Sequence, residues 1–62
     1  MKITWAAARI NAGYKQPQVA EAMGVSVNTI IAWEKYRKNP DVLQAEKLCE
    51  LYGCTMQDIS FA

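Results

Sequence analysis

The sequence predicts an all-α fold of five short helices. Three observations carry that expectation. No stretch alternates apolar and polar residues with period two for long; capping residues precede apolar stripes spaced three and four apart; and glycines fall where those stripes stop. At 62 residues the chain reads as one domain, spanning 1–62, of a size that buries only ~60% of its unfolded surface. An apolar content of 52% suffices for a compact core and argues against intrinsic disorder.

The elements follow in order. Thr4 is the candidate N-cap of an alanine-rich helix from Trp5 to Ala12, closed by Gly13. Pro17 occupies a first helical turn, where proline is tolerated, and Val19, Ala20 and Met23 form a stripe that ends at Gly24. Ser26 caps a third helix with Val27, Ile30, Ile31 and Trp33 as its apolar residues, broken by Asn39-Pro40. Asp41 with Gln44 has the form of a capping box, opening a helix through Val42, Ala45, Leu48, Cys49 and Tyr52 that closes at Gly53. Thr55 with Asp58 repeats the pattern for a short fifth helix holding Met56 and Ile59. No linker, repeat or low-complexity segment interrupts the series.

Composition removes several classes of function. No apolar run approaches the ~20 residues of a membrane span, and the N-terminus lacks a signal-peptide apolar region, so a cytoplasmic location is expected. Cys49 and Cys54, with no histidine anywhere, cannot assemble a three- or four-ligand metal site. They read as two small buried hydrophobes. With no nucleophile paired to a base and no glycine-rich phosphate loop, the chain is not expected to be an enzyme or to carry a cofactor. The net charge of +1 hides an asymmetry. Residues 1–40 carry six bases against Glu21 and Glu34, whereas residues 41–62 carry Lys47 against Asp41, Glu46, Glu50 and Asp58. A front that faces a polyanion explains the split; an ordinary mixed surface explains it equally.

The stretch "QPQVAEAMGVSVNTIIAWEKYRKNP" narrows the choice. Ala20 is small enough to let two helices meet closely, and Gly24 supplies the positive φ that starts a sharp turn. Ile30 and Trp33, three apart, are placed to pack back onto Val19, Ala20 and Met23, with Trp33 in the core. Two helices so joined make a helix-turn-helix, whose second helix is left projecting. From "AARINAGYKQ" through "VAEAMGVSVNTIIAWEKYRKNP" to "LCELYGCTMQDI", the chain resembles the Cro and phage-repressor helix-turn-helix proteins, the XRE-like group. The spacing A-x-x-x-G-V-S-x-x-T-I-x-x-W-E, followed by a basic loop and proline, carries the resemblance.

That resemblance implies a lambda-repressor-like DNA-binding domain with helices 2 and 3 as the helix-turn-helix. It also implies a site, position by position. Val27, Asn28 and Ala32 match positions of helix 3 (about residues 27–35) that face base edges, and Ile31 lies beside them. Gln16 matches a glutamine that meets a DNA phosphate at the start of helix 2. Thr29 and Lys35 match backbone-contacting positions, and Arg37, Lys38 and Asn39 occupy the loop flanking the next phosphates. Arg9 and Glu34 match positions that commonly form an internal ion pair. Lys15 departs from the family's Ser or Thr cap, which weakens the cap unless Lys15 serves a phosphate instead. Of the base-facing residues only Asn28 offers an amide, suited to adenine N6/N7, while the apolar three suit thymine methyls. An A·T-containing half-site is expected.

The expected function is therefore sequence-specific transcriptional regulation, of the phage or prophage repressor type, by a bacterial or phage-encoded, nucleoid-associated protein. The expected partner is double-stranded DNA, bound as a homodimer because one module buries only ~600–1,000 Å² on DNA; no membrane or small-molecule ligand is expected. Plainer readings stand beside this one. Val27 and Ile31 also suit a protein-binding surface, Asn28 a solvated first turn, and the basic loop a solvated turn. A module that keeps this fold but binds protein, antirepressor-like or as a dimerisation partner, is the alternative. Leu43 and Leu51, placed by the resemblance off the core face of helix 4, support it or a dimer surface equally.

Overall fold

The structure, a computed structural model, describes residues 2–61. Four α-helices stand where the capping pattern places them: α1 Trp5–Ala12, α2 Gln16–Met23, α3 Val27–Glu34 and α4 Val42–Tyr52. Their first turns are capped by the expected side chains. Thr4 Oγ1 accepts the Ala7 N–H at 3.1 Å, and Ser26 Oγ accepts the Thr29 N–H at 3.3 Å. Asp41 and Gln44 form a reciprocal box, with Gln44 N–H donating to Asp41 Oδ1 at 2.8 Å and Asp41 N–H to Gln44 Oε1 at 3.0 Å. At α2 the ammonium of Lys15 cannot accept a hydrogen bond, so only half a box forms: Lys15 N–H donates to Gln18 Oε1 at 2.8 Å.

The expected fifth helix is instead a single 3₁₀ turn, Met56–Asp58. The physical reason lies in Ile59, which leaves the turn in an extended conformation (φ −97°, ψ 133°) and is fully buried. Extension lets it pair in parallel with Ile3. Ile3 N–H donates to the Asp58 carbonyl and Ser60 N–H to the Ile3 carbonyl, both at 2.8 Å. Burying one isoleucine between two chain segments thus wins over prolonging a helix of three residues. Among the described residues this isolated bridge is all the extended pairing there is, and no strand forms.

One cluster makes the core. Trp5 and Ala8 of α1, Val19 and Ala20 of α2, Ile30 and Trp33 of α3, and Ala45, Leu48, Cys49 and Tyr52 of α4 close on Ile59. Trp5 stacks edge-on against Phe61, with centroids 5.6 Å apart and planes at 86°, and lies 6.4 Å from the Tyr52 ring. Burial drives the Tyr52 phenol pKa upward. The two cysteines are free; Cys49 is buried and its thiol is pushed up to about 12, by burial first and by the adjacent Cys54 second. Cys54, expected to be buried, is only partly so; it packs against the core just past the end of α4, where its N–H reaches the Cys49 carbonyl at 3.0 Å. Leu51, expected off the core face, is half-buried and packs against the core. Leu43 does stand clear of it, 78% exposed. No helix among the described residues is long and apolar enough to cross a membrane.

Candidate nucleic-acid interface

The corner between α2 and α3 is a three-residue turn, Gly24-Val25-Ser26. Gly24 ends α2 in the left-handed conformation (φ 70°, ψ 32°), and Val25 N–H then reaches back to the Ala20 carbonyl at 3.0 Å. Ala20 itself is 4% exposed, so the small side chain marks the place where the helices close on each other.

This corner divides α3 into two faces. Ile30 and Trp33 are buried at 1% and 4%. On the opposite side Asn28, Ile31, Ala32 and Lys35 follow each other at i, i+3, i+4 and i+7, which is one continuous stripe on a helix. Asn28 and Lys35 are exposed, and Ile31 and Ala32 partly so. The structure thus brings together three of the four expected base-facing residues. The fourth, Val27, shares the row of Ile30 and Glu34 and is half-buried against the core. Thr29 is half-buried too, its hydroxyl 3.1 Å from that of Ser26 within the cap.

The chain leaving α3 is the basic loop. Lys35, Arg37, Lys38 and Asn39 are all exposed, whereas Pro40 is buried and anchors the loop's far end. Among the described residues no carboxylate pairs with any of these three cations. Their charge is left uncompensated beside the open face of α3, and unneutralised cations on one edge attract a polyanion. Lys15, before α2, is exposed as well.

Behind this surface lies a charged hub. Arg9 Nε donates to Glu34 Oε2 at 2.7 Å and Arg9 Nη2 to Glu34 Oε1 at 3.3 Å, a bidentate pair that joins α1 to the end of α3. Their side chains are 14% and 8% exposed. Arg9 Nη1 also donates to the Tyr14 carbonyl at 2.9 Å. The hydrogen bond to Glu34 raises the guanidinium pKa, outweighing the opposing effect of burial. Gln16 Nε2 completes the hub by donating to Glu34 Oε1 at 3.0 Å. An amide nitrogen carries two hydrogens, so this bond uses one donor and retains the other.

Two of these features escape sequence reasoning. The Gln16–Glu34 bond spans 18 residues and has no local signal. Tyr36, inside the basic loop, adopts φ 58°, and nothing in its type announces a left-handed backbone.

A helix-turn-helix corner, an α3 face open to the outside and a basic loop with no carboxylate partner among the described residues define a class of protein, and the comparisons agree with it. The model of a family described as "Helix-turn-helix" matches residues 6–59, and the chain belongs to that family. Among curated proteins it is 35% identical, over 51 residues, to an uncharacterized HTH-type transcriptional regulator, YgzD, of Bacillus subtilis (strain 168). That match covers 82% of this chain and 77% of the relative. It is 33% identical over 51 residues to RstR of Vibrio cholerae, a cryptic phage CTXphi transcriptional repressor, covering 82% of this chain and 46% of that protein. The chain thus spans less than half the length of the phage repressor. No solved structure matches it significantly.

Proposed function

We propose that the protein is a sequence-specific DNA-binding regulator of transcription, of the phage or prophage repressor type, with the fold of lambda-repressor-like domains. The observation that carries this reading is the outward stripe Asn28–Ile31–Ala32–Lys35, running directly into a loop whose cations no carboxylate among the described residues neutralises. In the major groove, Asn28 would accept from and donate to an adenine edge, while Ile31 and Ala32 meet thymine methyls. Val27 would reach base edges only from the shoulder of the helix. Lys35, Arg37, Lys38 and Asn39 would hold the flanking phosphates, with Lys15, Gln16 and Thr29 contributing on the near side. Control would come from occupancy of the site, and two copies on a two-fold operator would supply the area that one module lacks. The same reading puts the protein in the cytoplasm, on the nucleoid, and assigns it binding rather than catalysis.

Selection of binding sites from random duplex DNA, with gel shifts across a salt series, tests the proposal. An enriched A·T-containing half-site, paired at about one helical turn, is expected, and affinity should fall steeply with salt. The second reading, a protein-binding module on the same fold, draws on the exposed Val42 and Leu43 of α4, at 66% and 78%. The absence of any shift, specific or not, decides for it.

A further inference from the structure

Three of the four helices end on a glycine in the left-handed conformation: Gly13 at φ 84°, Gly24 at φ 70° and Gly53 at φ 71°. Each is followed by a residue whose N–H reaches back five positions: Tyr14 to Arg9, Val25 to Ala20 and Cys54 to Cys49. The end of α3 has the same geometry, with Tyr36 N–H on the Trp33 carbonyl at 3.2 Å and Arg37 N–H on the Ala32 carbonyl at 3.0 Å. Here, however, the left-handed residue is Tyr36 at φ 58°, the one non-glycine with positive φ among the described residues. A side chain at that position costs conformational energy that glycine avoids, and such strain persists only where the surroundings hold it.

What tyrosine has and glycine lacks is a side chain with a polar tip. The Tyr36 ring packs against the core. Its hydroxyl donates to the Ser60 carbonyl at 2.7 Å, across 24 residues of sequence. The anchor is itself fixed, because Ser60 follows the buried Ile59 and its N–H is bonded to the Ile3 carbonyl at 2.8 Å. The strained residue lies between Lys35 and Arg37, at the start of the loop that carries the uncompensated cations.

We infer that Tyr36 is a positioning residue for phosphate binding: its ring and hydroxyl clamp the basic loop to the terminal segment, so that Lys35, Arg37 and Lys38 are presented to DNA in one fixed arrangement. A loop held beforehand does not lose its freedom on binding, so more of each phosphate contact appears as affinity. The role in DNA binding rests on the function proposed above, whereas the clamp stands without it.

Two variants separate the possibilities. Tyr36→Phe keeps the ring and the left-handed turn and removes only the bond to Ser60; Tyr36→Gly keeps the turn without strain and removes the clamp altogether. Limited trypsin digestion, mapped by mass spectrometry, reads cleavage after Lys35, Arg37 and Lys38, and anisotropy with a random-sequence duplex reads affinity against salt. Circular dichroism melts confirm that each variant is folded. Loss of one hydrogen bond should speed loop cleavage about fivefold in Tyr36→Phe, and more in Tyr36→Gly. Binding should weaken for every sequence alike, with the logarithmic salt slope shallower by ~1 in Tyr36→Gly. Loop cleavage at the wild-type rate in both variants overturns the clamp, whether or not the protein binds DNA. Faster cleavage with affinity and slope unchanged overturns the positioning role. A wild-type protein that binds no duplex removes the DNA reading and that role with it, and leaves cleavage to judge the clamp.

Discussion

Replacing either member of the Arg9–Glu34 pair tests how much of the fold hangs on one contact. The pair is bidentate, its closest bond is 2.7 Å, and its side chains are 14% and 8% exposed. Removing one partner of a buried pair leaves the other charge uncompensated, a loss of ~3–5 kcal/mol, and partial exposure puts this pair near the lower figure. In a domain of this size each kcal/mol moves Tm by roughly 4–8 °C, so ~3 kcal/mol corresponds to a fall of ~12–24 °C. Arg9→Ala should be the worse variant, because Glu34 then keeps only the Gln16 amide as a donor. Glu34→Ala leaves Arg9 the Tyr14 carbonyl and some access to water. Glu34→Gln should fall between it and the wild type, since one oxygen still accepts. The apolar double variant Arg9→Met/Glu34→Leu should recover most of the loss, because no buried charge remains. Thermal unfolding followed by circular dichroism reads all four. Single variants that melt within ~4 °C of the wild type would refute the reasoning, as would a double variant as unstable as the two losses summed.

Three further outcomes are expected. Asn28→Ala should cost ~1–3 kcal/mol on the preferred operator with little loss on non-specific DNA and little change in Tm; an equal loss on both DNAs would make Asn28 a backbone contact. The triple variant Lys35→Ala/Arg37→Ala/Lys38→Ala should weaken binding to all sequences and lower the salt slope by ~1 per contact removed, and an unchanged slope would assign the loop to solvent. Asp58 accepts the Thr55 N–H at 2.9 Å and its hydroxyl at 3.0 Å, and these bonds hold its carboxyl below the usual carboxylate range. A depressed folded pKa means stability that is present above the ordinary value of ~3.9 and lost as pH falls through the folded value. Melts of Asp58→Asn should therefore lie below the wild type at neutral pH and converge with it in acid; a constant gap across the series would show that the carboxylate charge is not involved.

Helix positions, the sharp corner and the core face of α3 were legible in the sequence because their causes are local, whereas its outward face was expected through the family resemblance. A cap needs its acceptor three residues away, as Ser26 is from Thr29 and Asp41 from Gln44, and a stripe of side chains follows from 3.6 residues per turn. The Arg9–Glu34 contact lies 25 residues apart in sequence, and it was foreseen only through resemblance to a family, not from any local rule. What local rules misjudged were places where distant segments compete. Thr55 N–H does reach the Asp58 carboxylate as in half a capping box, yet the chain turns once and extends, because Ile59 gains more by burial beside Ile3 than by another helical turn. The resemblance, not a local rule, put Val27 among the base-facing residues; beside Ile30 in its helical row, it is half-buried against the core. Tyr36 gives no sign of a left-handed backbone until the Ser60 carbonyl stands within 2.7 Å of its hydroxyl. Local chemistry sets where this chain becomes helical; the partners that long-range packing supplies decide which turns stay helical, which side chains remain exposed, and where strain is held.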